Sequence, residues 1–179
     1  HYKSKFREFS VANGIETPNF SVFKEKDIDE LDSYLNEVGT PFIIKNVDSS
    51  GSRGTKIFLE RDVAEELKIA REAVKVSKSK SFLVESVWTG QECTVETLFD
   101  VNGNFHRCFI TDRIFDYSNG VPMEIGLVSP SQLPPHQQES CFELAHEVAL
   151  KLGITIGAAK FDMIVSKDGP KIIEMTTRL

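Results

Sequence analysis

The amino-acid sequence predicts an α+β fold built on mostly antiparallel sheets, and three observations carry that expectation. Through the second half, strand-like runs follow one another with a single helical pattern among them, whereas a parallel sheet needs a crossover between successive strands. Tight-turn sequences there, Asn102-Gly103 and Lys167-Asp168-Gly169-Pro170, join neighbouring strands. The first half instead gathers three helical patterns around short strands, two of which are separated by a long polar loop.

Taken in order, residues 2–12 carry alternating charge with Phe6 and Phe9 three apart, a short helix stopped by Asn13-Gly14. A short strand over 19–23 follows the Thr17-Pro18 turn. Asp27 or Asp29 caps a helix to Val38 with Ile28, Leu31 and Leu35 on one face, and Gly39 ends it. Phe42 to Lys45 reads as a buried strand. The loop over 46–54 separates it from a strand over 55–59, a hairpin with an oversized tip. Residues 62–77 place Val63, Leu67, Ala70 and Val74 at helical spacing. Strands follow over 81–87, 94–100 and 105–112. Residues 116–139, with Pro122, Pro130, Pro134 and Pro135, read as loop. Ser140 caps a helix to Leu152 that buries Phe142, Ala145, Val148, Ala149 and Leu152. Strands over 156–165 and 171–175 complete the chain.

Composition narrows the function classes. The 179 residues carry 21 Lys and Arg against 27 Asp and Glu, a net charge of −6, with 40% hydrophobic residues. That apolar share excludes a disordered chain, and no apolar run approaches the ~20 residues of a membrane span. Net acidity argues against duplex nucleic acid as the main partner. Cys93, Cys108 and Cys141 show neither disulfide nor metal spacing, and His1-Tyr2-Lys3 opens into polar sequence. Both features point to a cytoplasmic setting. The first residue is not Met and the last two, Arg178-Leu179, follow directly on a strand, so a piece of a longer protein is expected.

Three groups of residues carry candidate chemistry. Lys45 is followed by Asn46-Val47-Asp48-Ser49-Ser50-Gly51-Ser52-Arg53-Gly54. Glycines let backbone amides approach a phosphate closely, and Lys45 on the preceding strand supplies a point charge. The loop lacks the Gly-Lys-Ser/Thr ending of a P-loop, and a solvated hairpin tip would have the same composition. Glu85 and Glu92 flank a connection between strands, and an ionised carboxylate there suits a ribose diol, although paired surface glutamates satisfy the same pattern. Asp162 and Glu174 sit in apolar strands joined by a short turn. Carboxylates in such strands are costly unless paired with a cation or metal, and two converging from neighbouring strands suit Mg²⁺. Two exposed edge carboxylates are the alternative. Arg178, beyond Thr176, is a cation that can neutralise phosphate or an anionic substrate.

In this order the groups resemble the ATP-grasp superfamily, in the branch of carbamoyl-phosphate synthase, biotin carboxylase and D-alanine:D-alanine ligase. Gly14-Ile15-Glu16-Thr17-Pro18 looks like the lead-in after the family's first helix. Pro41-Phe42-Ile43-Ile44-Lys45 with Asp48 to Gly54 is similar to the phosphate lysine and its grasping loop, in which Ser49, Ser50, Gly51, Ser52 and Gly54 are the nucleotide-side residues. Phe82-Leu83-Val84-Glu85, continuing into Ser86 and Val87, resembles the adenine-contacting hinge strand. Gly90-Gln91-Glu92 resembles the ribose-binding glutamate. Lys160-Phe161-Asp162 and Ile172-Ile173-Glu174-Met175-Thr176-Thr177-Arg178 look like the paired metal ligands and trailing arginine. Lys3 matches the first nucleotide-side lysine more loosely, and the resemblance implies Arg113, after a strand, as a second cation beside Arg178.

The resemblance implies two α+β lobes clasping a nucleotide. A smaller lobe would span 1–87, with the lead-in helix within 1–20 and the phosphate loop. A larger metal-carboxylate lobe would span 88–179 and be truncated at its C-terminal end. It implies ATP with one or two Mg²⁺, or Mn²⁺ in its place, activating a carboxylate as an acyl-phosphate for attack by an amine or ammonia. Small-molecule substrates, no nucleic acid or membrane, and a homodimer fit that picture. Bicarbonate-using carboxylase or carbamoyl-phosphate chemistry, and a silent nucleotide-binding module, are the alternatives. Two departures stand out: Thr176 replaces the family's usual Asn near the second metal, and Asn46 replaces a common proline after Lys45.

Overall fold

The computed structural model describes residues 3–48 and 53–178. The chain divides into two compact units, each with its own sheet. The first comprises the residues to Phe9, Pro18–Trp88 and Phe115–Met123; the second comprises Ser10–Thr17, Thr89–Ile114 and the residues from Glu124 onward.

In the first unit, β1 (Phe20–Lys24), β2 (Phe42–Asn46), β3 (Lys56–Phe58) and β4 (Ser81–Ser86) form a sheet in the order β1-β4-β2-β3, every pairing antiparallel. Alternation along each strand sends Phe23, Phe42, Ile44, Phe58, Phe82 and Val84 to one face. There they pack on Leu31 and Leu35 of α2 (Leu31–Val38) and on Ile69, Ala70, Ala73 and Val74 of α3 (Val63–Val76). Phe23 stacks on Phe82 and Phe42 on Phe58, with ring centroids 5.2 and 5.1 Å apart. The expected hairpin between β2 and β3 is present. The helix expected from Asp27 is not continuous: Glu25–Glu30 form a 3₁₀ segment before α2. Asp27 accepts the Lys24 N–H at 3.1 Å, which winds the chain tightly just after β1.

In the second unit, β5 (Gln91–Phe99), β6 (Phe105–Asp116), β7 (Met123–Val128), β8 (Gly157–Ser166) and β9 (Gly169–Thr176) are ordered β7-β6-β5-β8-β9. The β5–β6 and β8–β9 pairings are antiparallel, as the Asn102-Gly103 and Lys167–Pro170 turns predict, and the non-sequential β5–β8 pairing is antiparallel too. One face is apolar: Cys93, Val95, Ala159, Phe161, Met163 and Ile172 are buried, as are Cys141, Ala145, Val148 and Ala149 of α4 (Pro135–Lys151), which packs on these strands. At Gly90 an added Cβ would stand 2.4 Å from the Val165 carbonyl oxygen, so only glycine lets the chain enter β5 this close to β8.

Three expectations are corrected here. Residues 116–139 are not wholly loop, because β7 lies within them. Its alternation of Met123, Ile125 and Leu127 with Glu124 and Gly126 is masked in the sequence by the surrounding prolines. The last helix starts at Pro135 rather than at a Ser140 cap. Proline suits a first helical position, and the Ser140 hydroxyl instead donates to the His136 carbonyl one turn back. The helix buries Cys141 in place of Phe142, which is half-buried.

Candidate functional site

The sheet face of the first unit opposite its core carries Lys45 and Glu85, in register positions one step apart on β2 and β4. α1 (Lys3–Ala12) adds Arg7. Arg7 Nε donates to Glu85 Oε1 at 2.6 Å, its Nη2 lies 3.4 Å from Oε2, and Lys45 Nζ pairs with Oε2. All three residues are buried, with Arg7 and Glu85 each 2% exposed and Lys45 8%. Burial pushes the Glu85 carboxyl upward, but Lys45 and Arg7 outweigh it and hold its pKa below the ordinary glutamate value. The carboxylate therefore accepts from two cations. Arg7 went unnoticed in the sequence; its only signal is a position one helical turn after Lys3.

The loop after Lys45 is tied down on both of its flanks. Asp48 accepts the Lys78 and Ser79 N–H groups at 2.9 and 2.8 Å, and burial's upward push on its pKa is outweighed by these bonds, which lower it. Asn46 Nδ2 donates to the Arg53 carbonyl at 2.6 Å across the loop's neck. Gly54, at φ +61°, passes so close to α3 that a Cβ would meet Ala73 Cα at 2.6 Å. Ser49, Ser50, Gly51 and Ser52 lie outside the described residues. The Lys3 N–H donates to the Val47 carbonyl at 2.9 Å. The Ser86 and Val87 N–H groups are committed to the Asn19 and Pro41 carbonyls, at 2.9 and 3.2 Å.

In the second unit the register builds a polar face opposite α4. Thr94 on β5 faces Asp162 on β8, and Asp162 faces Glu174 on β9. One step along, Glu96, Lys160 and Thr176 form the next row. Direct cross-strand partners project from the same face, so both carboxylates stand side by side, next to a bulge between Asp162 and Met163 that leaves Ile173 unopposed. The apolar residues that made the acids look embedded in the sequence occupy the other face. Asp162 is thus half-buried, its side chain 16% exposed. It accepts from Thr94 Oγ1 at 2.8 Å and pairs with Arg113 Nη1 at 3.1 Å and, more distantly, Lys160 Nζ at 3.6 Å.

Arg113 lies within β6, not beyond a strand as the sequence suggested, and its Nε donates to Glu124 Oε2 at 2.6 Å. Burial works against its charge, but Asp162, Glu124 and Glu92 outweigh that and raise its pKa. Glu92 starts β5, in a different sheet from Glu85. The Thr176 hydroxyl donates to the Arg178 carbonyl at 3.4 Å, and Arg178 is exposed at the strand exit. Among the described residues no group of three or more His, Cys, Asp and Glu converges. Thr94 was missed because its place beside Asp162 is set by register, which no local pattern encodes; Lys160, two residues before Asp162 on β8, shares its face by strand alternation.

A family model for the ATP-grasp domain matches residues 38–179. The chain belongs to the ATP-grasp family. Solved ATP-grasp-like structures agree with the fold. An L-amino acid ligase from Bacillus licheniformis matches at 26% identity and a TM-score of 0.75, covering 99% of this chain and 40% of that one. The biotin carboxylase domain of the Hydrogenobacter thermophilus 2-oxoglutarate carboxylase, a dimer in complex with MgADP, ADP and bicarbonate, matches at 26% identity and 0.78, with the same coverages. The VanG D-Ala:D-Ser ligase from Enterococcus faecalis, at 17% identity and 0.81, shares the fold over 98% of this chain and 51% of that one. The ATP-grasp chain therefore spans roughly half or less of these structures. No curated protein is similar enough to count as a relative. Among the described residues no helix is long and apolar enough to cross a membrane.

Proposed function

We propose that this ATP-grasp chain handles nucleotide and metal in an ATP-dependent carboxylate–amine ligase. The observation that carries the reading is the direct cross-strand pairing of Asp162 and Glu174 on the polar face of the second sheet. Two carboxylates, with the Thr176 hydroxyl nearby, are hard-oxygen donors that leave the remaining positions to phosphate oxygens and water. That is the ordinary coordination of Mg²⁺, with Mn²⁺ an alternative, and the residues fit one such ion or two. When bound, Mg-ATP supplies the phosphoryl group that activates a substrate carboxylate for attack by an amine.

The residues' own tasks follow from charge and position. Lys45 takes phosphate oxygens, with Lys3 and the loop amides from Ser49 to Gly54 as further donors. Glu92 accepts from ribose hydroxyls and Glu85 to Val87 border the base. Arg113 is held by Asp162 and Glu124, so it offers a fixed cation to an anionic substrate; Arg178, exposed at the strand exit, offers a second. Small carboxylate and amine substrates, a cytoplasmic setting in keeping with three unpaired thiols, and a lobe division near residue 87 belong to the same reading. So does a homodimer, a state named for the similar biotin carboxylase domain.

A bicarbonate-using carboxylase or carbamoyl-phosphate-type activity is a second reading, favoured by that same structure's bicarbonate at 26% identity. Calorimetric titration with ATP, with and without Mg²⁺, tests the common core. Magnesium-dependent binding that Glu174→Gln abolishes is expected; equal binding by the variant refutes the metal pair. ADP release stimulated by amino acids, against release stimulated by bicarbonate, separates the two activities.

A further inference from the structure

Phosphate binding asks something of Lys45 that its surroundings make difficult. Its ammonium is paired with a carboxylate that is itself removed from water. If Lys45 turned to a phosphate oxygen and Glu85 had no other partner, a buried anion would be left uncompensated, which is strongly unfavourable. Arg7 answers that difficulty. It addresses both carboxylate oxygens, at 2.6 and 3.4 Å, and its side chain is only 3% exposed. A planar guanidinium can hold both oxygens at once, so Glu85 keeps a charge-assisted partner whichever way the lysine points.

We propose that Arg7 is a positioning residue for nucleotide binding: it retains the Glu85 carboxylate, so that Lys45 can leave that carboxylate for a phosphate oxygen without stranding a buried negative charge. The proposal rests on the reading of Lys45 as a phosphate ligand and deepens it. Among the described residues, the groups facing Glu85 are few. Arg7 comes from α1, with Lys3 one turn earlier on that helix. Lys45 comes from β2, and Phe20 and Val22 of β1 are uncharged. Tyr34 of α2, whose hydroxyl is raised first by burial, senses the Glu85 charge at longer range.

The consequence is a specific change in proton linkage. In wild type, Glu85 stays ionised with and without nucleotide, and takes up no proton on binding. In Arg7→Met, Lys45 is the one partner shown here that remains. Its departure to phosphate leaves Glu85 buried and unpaired, so the carboxyl takes up a proton. Lower pH then favours the bound state.

Calorimetry with Mg-ATP, in two buffers of different ionisation enthalpy between about pH 7 and 8.5, reads this directly. Arg7→Met is expected to bind at least ~10-fold more weakly than wild type at the upper end. It should regain ~10-fold per unit fall in pH, with uptake of about one proton per nucleotide. Arg7→Lys, which keeps the charge, should remove the proton uptake. An Arg7→Met profile parallel to wild type, without proton uptake, overturns the proposal, because a merely structural arginine would weaken binding equally at every pH. A second measurement needs no nucleotide. In Lys45→Met, Arg7 remains, and carboxyl-carbon NMR should find Glu85 ionised throughout the neutral range; protonation near pH 7 overturns the proposal. Absence of Mg-ATP binding by wild type would instead refute the reading of Lys45, while the Lys45→Met titration still decides whether Arg7 suffices for Glu85.

Discussion

Replacing Glu85 by Gln keeps the side chain's size and removes its charge, leaving the Arg7 and Lys45 cations facing a neutral amide at positions 2% and 8% exposed. Breaking a buried ion pair by neutralising one partner costs about 3–5 kcal/mol. With a urea slope near ~2 kcal/mol/M, the unfolding midpoint of the first unit should fall by ~1.5–2.5 M. Fluorescence of the single tryptophan, Trp88, reports on that unit. The pH dependence gives a second signature. Lys45 and Arg7 overcome the burial that opposes ionisation and depress the folded-state pKa of Glu85 below its unfolded value. A depressed carboxylate contributes its full stability above the unfolded pKa, near ~4.3, and loses it as pH falls through the folded value. The gap between wild type and Glu85→Gln should therefore be constant from neutral pH to about 5 and narrow in stronger acid. A midpoint shift worth less than ~1 kcal/mol, or a gap that does not narrow, would refute the assignment of Glu85 as the ionised centre of the three.

The other predictions concern backbone approach and the neck of the loop. Gly90→Ala puts a methyl 2.4 Å from the Val165 carbonyl and 2.8 Å from Ile164 Cγ2, so β5 must shift from β8. Destabilisation of the second unit by about 1–3 kcal/mol is expected in thermal melts. An unchanged melting temperature would mean the entry to β5 is not fixed. Asn46→Ala removes the bond to the Arg53 carbonyl and should cost about 1 kcal/mol in chemical unfolding. Amide exchange in residues 53–55 should quicken, and unaltered exchange there would show that the neck is closed by other means.

Much of the architecture is written locally. The β2–β3 and β5–β6 hairpins, α3 with its Asp62 cap, and the β8–β9 turn follow from alternation, capping and turn residues acting over a few positions. β7 and the first turn of α4 were hidden because prolines signal interruption wherever they fall. Here Pro135 starts a helix, and the neighbouring strand tolerates prolines outside its paired length. The 3₁₀ segment before α2 was likewise misread, since its apolar spacing differs little from that of an α-helix over six residues.

At the candidate site the division is sharper. Local sequence singled out Lys45 by the glycine-bearing loop that follows it, and Asp162 and Glu174 by the apolar residues around them. Which charges meet was decided only on folding. Arg7 is 78 residues from Glu85, Thr94 is 68 from Asp162, and Asn46 was noticed merely as a missing proline. Hydrogen-bond register and helix placement act across such separations, and a one-residue slip would turn the strand side chains among these to the opposite face. Local pattern thus fixes what each segment becomes and which residues are chemically unusual; the long-range pairing of strands decides what each of those residues touches.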